Sequence, residues 1–113
     1  GVTATTLAEW SAGGRDYVLR EITVAPGGST GWHYHDGTLY GWVASGTLTH
    51  NAADCSVDGV YDANELIVEP AGAGNVHLGR NLGSTPVVLE VLYVLPAGAP
   101  PANDAPDPGC GFG

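Results

Sequence analysis

The apolar residues of this chain fall in short runs, and each run is cut by Gly, Pro, Asn or Asp. The 113 residues include 18 glycines and 8 prolines. Short runs rich in β-branched and aromatic residues, separated by turn residues, are typical of antiparallel strands rather than helices. The pattern predicts one all-β domain over residues 1–113, with seven or eight strands in a sandwich or barrel.

The most apolar run, residues 86–95, is predicted to be a buried central strand. Residues 51–64 are predicted to be a longer polar connection. The end of the chain, 96–113, is predicted to be an irregular Pro/Gly-rich tail tied back to the body. The other predicted strands are 1–10, 16–24, 32–35, 39–44, 47–50, 65–69 and 76–79.

The charge of the chain argues against two classes of partner. The formal net charge is −9, and the only strong cations are Arg15, Arg20 and Arg80. Nucleic acid and anionic lipid surfaces are bound through clustered cations, so neither nucleic acid nor a membrane is an expected partner. No apolar run approaches the roughly 20 residues needed to span a bilayer. A small-molecule substrate or ligand is the expected partner.

The two cysteines, Cys55 and Cys110, lie far apart and fit no zinc module. A disulfide between them would tie the tail to the body and would stabilise the fold by about 4 kcal/mol; two unrelated thiols are the alternative. A disulfide implies an oxidising compartment. The chain begins without a secretory signal, so Gly1 is interpreted as a mature or trimmed terminus. The expected location is secreted or otherwise extracytoplasmic.

Two histidines, His33 and His35, stand one residue apart in a stretch bracketed by glycines. Residues i and i+2 of a strand point to the same face, so a strand would direct both imidazoles into one volume. A third histidine, His77, follows a turn-rich segment and begins another β-type run. Three neutral imidazoles from two strands form a candidate metal site. The alternative is a metal-free barrel in which these histidines bond polar neighbours.

The spacing of these residues resembles that of the cupin family. In the first cupin motif a Gly is followed, after five residues, by His-x-His and later by a closing Gly, as at Gly27, 33–35 and Gly46. The second motif matches in Pro70-Ala71-Gly72, His77 and Asn81, with Asn64 in the first Gly position. The two motifs cover residues 20–95. The resemblance implies a cupin-type jelly-roll barrel, or double-stranded β-helix, with a metal held inside by His33, His35 and His77.

The sequence departs from the cupin pattern in two places. Leu39 occupies the position where cupins usually place a glutamate ligand, and two extra residues separate Gly72 from His77. The expected centre is therefore a three-histidine site in which no carboxylate neutralises the ion. Imidazole suits zinc, copper, iron and nickel alike. An oxidising compartment favours copper or zinc as the bound metal, with iron, nickel and manganese as the other candidates.

A metal with open coordination positions points to an enzyme, because those positions accept oxygen, water or a chelating substrate. The favoured function is a mononuclear-metal oxidoreductase of dioxygenase type, acting on a small organic substrate. The alternatives are a non-catalytic binding protein for a metal or small ligand, and a zinc-type isomerase or hydrolase. No catalytic residue is assigned beyond the metal ligands.

Strand alternation assigns the faces of the strand at 39–44. Leu39, Gly41 and Val43 share one face and are predicted to line the pocket. Tyr40 and Trp42 lie on the other face. There they are predicted, with Trp32 and Tyr34, to pack against a second sheet or to form a homodimer interface.

Four further polar residues lie near the motifs. His50 is expected near solvent with no part in the site. Glu21 and Glu90 are expected on the solvated face, the alternative being an inward-pointing acid. Arg80 is expected to form a surface ion pair, the alternative being contact with an anionic substrate.

Overall fold

The computed structural model describes residues 1–113 as ten strands and one 3-10 helix, Ala73–Asn75. No helix in it has the length and apolarity needed to cross a membrane. The strands are β1 (Val2–Ala12), β2 (Arg15–Val24), β3 (His33–Tyr34), β4 (Leu39–Ser45), β5 (Thr47–Ala52), β6 (Val57–Asp62), β7 (Leu66–Glu69), β8 (His77–Arg80), β9 (Val87–Pro96) and β10 (Asn103–Asp104).

The strands form two five-stranded antiparallel sheets that enclose one core. The first sheet has the order β1-β2-β9-β4-β7 and the second has the order β10-β3-β8-β5-β6. This arrangement confirms the predicted all-β, cupin-type jelly-roll barrel. The core consists of ten buried side chains: Val24, Leu39, Val43, Leu48, Ile67, Val87, Leu89, Val91, Tyr93 and Leu95.

Strand β9 supplies half of this core, because every second side chain along it points inward and is buried. It lies at the centre of the first sheet, hydrogen-bonded to β2 on one side and to β4 on the other. Burying an aliphatic side chain of this size stabilises the fold by about 1.5–3 kcal/mol. The prediction of a buried central strand at 86–95 is confirmed.

Two stretches without a predicted strand contain one. Residues 51–64 include β6, which pairs with β5 from Thr47↔Asp62 to Asn51↔Val57. Both faces of β6 are largely exposed, so it lacks the apolar alternation that reveals a half-buried strand. In the tail, the two residues of β10 pair with β3. Backbone hydrogen bonds to an open sheet edge, rather than apolar burial, hold both segments.

The tail lies across the outer face of the second sheet and is covalently attached to it. Cys55 and Cys110 form a disulfide, with Cα atoms 5.3 Å apart. The Trp32 indole N–H donates to the carbonyl of Phe112 over 3.2 Å. The guanidinium carbon of Arg80 lies 3.9 Å from the centre of the Phe112 ring. The tail thus buries Trp32, which is 6% exposed.

The outer face of the first sheet has no such cover. Tyr40 is 51% exposed and Trp42 37% exposed, so the prediction that they pack under a second sheet is wrong. Their cross-strand partners on β7, Val68 and Leu66, are exposed too. The homodimer stays a prediction.

Candidate metal centre

The fold brings the three predicted histidines together inside the barrel. His33 on β3 is the cross-strand partner of His77 on β8, and His35 follows immediately after β3. One ring nitrogen from each can be chosen so that all three lie within 4.8 Å of one another. His35 and His77 are buried, at 3% and 5% exposure, and His33 is half-buried.

Each imidazole is oriented by a main-chain carbonyl. The Nδ1 atoms of His33, His35 and His77 lie 2.7, 2.8 and 2.8 Å from the carbonyl oxygens of Gly31, Pro101 and Asn75. A carbonyl only accepts a hydrogen bond, so each Nδ1 carries a proton, and in the neutral ring each Nε2 has the lone pair. The Nε2 atoms of both His35 and His77 are buried, and that of His35 has no hydrogen-bond partner.

The same local hydrogen bond orients His33 and His77, because the Nδ1–H of each donates to the carbonyl two residues before it. For His33 the chain reaches this geometry at Gly31, whose φ is +73°. Glycine adopts positive φ at little cost. A side chain at position 31 would strain the turn that places the carbonyl under His33.

The expectation of a site without a carboxylate is wrong, because Glu69 at the end of β7 lies beside the histidines. Its Oε2 is 2.6 Å from His77 Nε2, and its Oε1 is 3.8 Å from His35 Nε2. Leu39 does occupy the usual glutamate position on β4, but Leu39 and Glu69 are direct cross-strand partners. The carboxylate therefore comes from the neighbouring strand at the same level of the barrel.

His50 is also part of this cluster, contrary to the expectation that it lies near solvent. It is 9% exposed, and its Nε2 lies 2.9 Å from Glu69 Oε2 while its Nδ1 contacts Asp58 Oδ1. Since both partners are carboxylates, both ring nitrogens donate and the ring is an imidazolium. Burial alone would lower the pKa of His50, but the hydrogen bonds to Glu69 and Asp58 outweigh it and raise the pKa.

The ionisation of the other groups follows from burial and charge. Burial would raise the pKa of Glu69, yet its contacts with His50 and His77 hold the pKa far below the usual range, so Glu69 is a carboxylate. Burial lowers the pKa of His33 to about 4 and also lowers that of His35. Neutral imidazoles and an ionised carboxylate are the forms that bind metal ions.

The donor atoms surround a small interior cavity of about 60 Å³. Leu39 lines this cavity, as the strand alternation predicts. Gly41 and Val43 do not: Val43 is fully buried in the core, and the α-carbon of Gly41 faces Ile67 and Val91. The wall is completed by side chains from both sheets, among them Ile22, Leu48, Leu89 and Tyr93.

The remaining candidate residues lie outside the site. Glu21 and Glu90 are direct cross-strand partners on β2 and β9, half-buried, and do not line the interior cavity. Arg80 forms no ion pair, because its Nε donates to Asn51 Oδ1 over 3.0 Å and its guanidinium lies on Phe112. The surface ion pair expected for Arg80 is therefore absent.

Two residues missed by the sequence argument, Glu69 and His50, have a signal in the sequence. On β7 the alternation that turns Ile67 inward also turns Glu69 inward, and on β5 Leu48 and His50 share the inward face. A polar residue two positions along a strand from a buried apolar residue is expected to point into the barrel as well. The spacing of the cupin motifs alone does not identify such a residue.

These donors fit a divalent transition metal. Three imidazole nitrogens and a carboxylate are ligands common to zinc, iron, copper and nickel sites. In addition, His77 Nε2 lies 2.6 Å from a carboxylate oxygen of Glu69. At this distance a cation holds the two atoms together, either a proton on Nε2 or a metal ion bound in its place.

Comparisons with known proteins agree with this architecture. A protein with a double-stranded β-helix domain from Klebsiella pneumoniae subsp. pneumoniae MGH 78578 superposes with a TM-score of 0.73 and 22% identity, over 92% of this chain and 79% of that one. The polyketide cyclase RemF from Streptomyces resistomycificus gives a TM-score of 0.71 and 24% identity, over 95% and 75% of the two chains.

An oxalate oxidase in complex with the substrate analogue glycolate is similar over a shorter stretch. It gives a TM-score of 0.59 and 26% identity, over 68% of this chain and 41% of that one. Among curated proteins, none matches the chain. The family model for the cupin domain, Cupin_2, matches residues 20–95, which include both histidine motifs. The chain therefore belongs to the cupin family.

Proposed function

We propose that this cupin is a metal-dependent enzyme that binds one divalent transition metal through the Nε2 atoms of His33, His35 and His77. The observation that supports this most directly is the fixed tautomer of all three rings. Each Nδ1–H is bound to a main-chain carbonyl, so the three Nε2 atoms face one cavity and, in the neutral rings, direct their lone pairs into it. Glu69 supplies a fourth donor or holds a water beside the ion.

The bound metal would supply a Lewis acid with open positions for oxygen, water or a chelating substrate. The protein's own groups set the conditions around it. Leu39 and Tyr93 line the cavity and give it apolar walls beside the donor atoms. His50 donates to Glu69 and keeps that carboxylate oriented toward the histidines. With an ionised carboxylate present, iron and manganese suit the site as well as copper and zinc.

The reaction we propose is the oxygen-dependent oxidation of a small organic substrate. Two features support it: neutral imidazoles dominate the donor set, and the cavity is small and largely apolar. The second candidate is a metal-assisted isomerisation or hydrolysis. Its specific support is the His50 imidazolium held between Asp58 and Glu69, a protonated group next to the donors. A protein that binds metal without turnover would have the same ligands.

Metal analysis of the purified protein tests the site. We expect about one divalent metal per chain in the wild type and its loss in His33→Ala. Tyr34→Phe is the matched control, because Tyr34 lies between the two histidines but points to the opposite face of β3. Equal metal content in the wild type and His33→Ala would contradict the proposal.

The same samples separate the candidate reactions. Cupric copper gives a paramagnetic resonance signal, iron gives one once it is oxidised to the ferric state, and zinc gives none in either case. Oxygen uptake with a panel of thiols, diketones and catechols is expected for the oxidase-type reaction. Its absence, together with a silent metal, would favour the isomerase or hydrolase.

The disulfide is compatible with an extracellular location. We infer that the protein acts outside the cytoplasm, since disulfides persist in oxidising compartments. Fractionation of a producing cell tests this directly.

A further inference from the structure

The interior cavity adjoins a wider one whose lining includes a single arginine, Arg20. This mouth cavity has a volume of about 230 Å³ and shares His33, His35 and Tyr93 with the interior cavity. Its other walls are mostly apolar, from the start of β1, from Ile22 and from Ala102 in the tail. Two charged side chains line it, Arg20 on β2 and Asp104 on β10.

Arg20 points into the barrel because of its position in the sheet. It is the cross-strand partner of Val91, whose side chain is 5% exposed and belongs to the core. Directly opposed residues share a face of the sheet. The Arg20 guanidinium carbon lies 5.7 Å from the centre of the Tyr93 ring, and an aromatic face at this distance attracts and orients the cation.

Arg20 forms no ion pair with any carboxylate of the protein. The chain has 12 acidic side chains, yet every ion pair in the structure involves a histidine. Arg80 is bound to Asn51 and covered by Phe112, and Arg15 is exposed at the start of β2. Asp104 lines the same cavity, but no carboxylate lies within ion-pair distance of the Arg20 guanidinium. An inward-pointing guanidinium in this state, beside the histidines, is a site for an anion from outside the protein.

We propose that Arg20 binds a carboxylate of the substrate while the other end of the molecule reaches the three histidines. The substrate class is therefore a small monocarboxylic acid with a second oxygen donor, such as a 2-hydroxy acid. The cavity volume equals on the order of eight water molecules at about 30 Å³ each, which admits a molecule of that size. Asp104 lines the same cavity and disfavours a second negative charge. The inference rests on the proposed function and deepens it.

The test measures the binding of lactate and of its neutral analogue lactamide by calorimetry, with the zinc-loaded protein so that no turnover interferes. We expect the wild type to prefer lactate by tenfold or more. Arg20→Gln should lose about tenfold or more in lactate affinity, with lactamide binding unchanged. Arg20→Lys should fall between the two, because lysine keeps the charge but not the planar fork. Arg15→Gln, on the same strand, should bind like the wild type.

Metal content and circular dichroism are measured on every variant. The inference would be overturned if the Arg20→Gln variant holds zinc and keeps its circular dichroism spectrum but binds lactate as tightly as the wild type. Equal binding of lactate and lactamide by the wild type would also overturn it. If the wild type holds no metal, the proposed function fails, and the preference for lactate is then measured on the metal-free protein. If the metal-free wild type still prefers lactate to lactamide and Arg20→Gln loses that preference, the anion site is supported. If the metal-free wild type shows no preference, the anion site is overturned.

Discussion

Glu69 is an ionised carboxylate held inside the barrel by two histidines. Its Oε2 faces both His50 Nε2 and His77 Nε2, so the charge is compensated on one side by the His50 imidazolium. The imidazolium charge offsets part of the desolvation cost of burying this carboxylate next to the histidines. The carboxylate also reduces the net charge of any bound dication and so moderates its strength as a Lewis acid.

Removing this charge is expected to weaken metal binding. Glu69→Gln should lower zinc affinity by about 10- to 100-fold, the usual effect of losing a ligand or a group that orients one. Glu69→Asp should fall between Glu69→Gln and the wild type, because it keeps the charge on a shorter side chain. Competition with a chromogenic chelator measures the affinities.

The control is Glu9→Gln, which changes an exposed carboxylate on β1 and should leave the affinity unchanged. If Glu69→Gln binds zinc like the wild type, the carboxylate serves only as the partner of His50 and has no part in the metal site.

The convergence of His33 and His35 could be predicted from the sequence at the residue scale, because residues i and i+2 of an extended segment point to the same face. Glu69 could not be found by motif spacing, since the motif counts positions along β4 and the carboxylate enters from β7. The antiparallel register sets Leu39 opposite Glu69. It is this register that shows how a carboxylate from β7 takes the place of the glutamate that the motif expects on β4. Such a register depends on distant pairings that one sequence does not display.

At the scale of elements, the tail joins the second sheet to the site. Strand β10 pairs with β3 next to His33, and the carbonyl of Pro101 accepts the Nδ1–H of His35. The disulfide of Cys55 and Cys110 fixes the far end of the tail. The composition of residues 96–113 predicts an irregular segment. Its contribution to the site comes from one main-chain carbonyl, which no side-chain pattern reveals.

Removal of the disulfide is therefore expected to act on both stability and metal binding. In the Cys55→Ser/Cys110→Ser double variant the free energy of unfolding should fall by about 4 kcal/mol, the chain-entropy value for a loop of this length. Zinc affinity should fall by about tenfold, because His35 loses the fixed carbonyl that orients it. Urea denaturation measures the first change and chelator competition the second.

The affinity is measured without denaturant, where the variant remains folded. A double variant that is destabilised but binds zinc as tightly as the wild type would show that the tail supports the fold alone. A variant with unchanged stability would contradict the chain-entropy argument.

For the whole molecule, the candidate metal site draws its residues from both sheets across their shared interior. His33, His35 and His77 belong to the second sheet or its flank, and Glu69 belongs to the first. The cluster places polar side chains inside a barrel whose core consists of ten apolar side chains, and the Nε2 atom of His35 is buried without a hydrogen-bond partner. A cation bound at this position would join the sheets and satisfy that atom.

A ligand that binds only the folded state stabilises it by mass action. At free zinc 100 times the dissociation constant, the gain is about 2.7 kcal/mol. For a domain near this size each kcal/mol raises the melting temperature by about 4 °C or more, so we expect zinc to raise it by about 10 °C in calorimetry and a chelator to reverse the shift. His77→Ala, which removes a donor from the centre of the cluster, should lose most of the zinc-dependent shift, whereas Tyr34→Phe should retain it. A wild type whose melting temperature does not respond to zinc, copper, iron, nickel or manganese would contradict the metal site itself, because a cation bound between the two sheets must favour the folded chain.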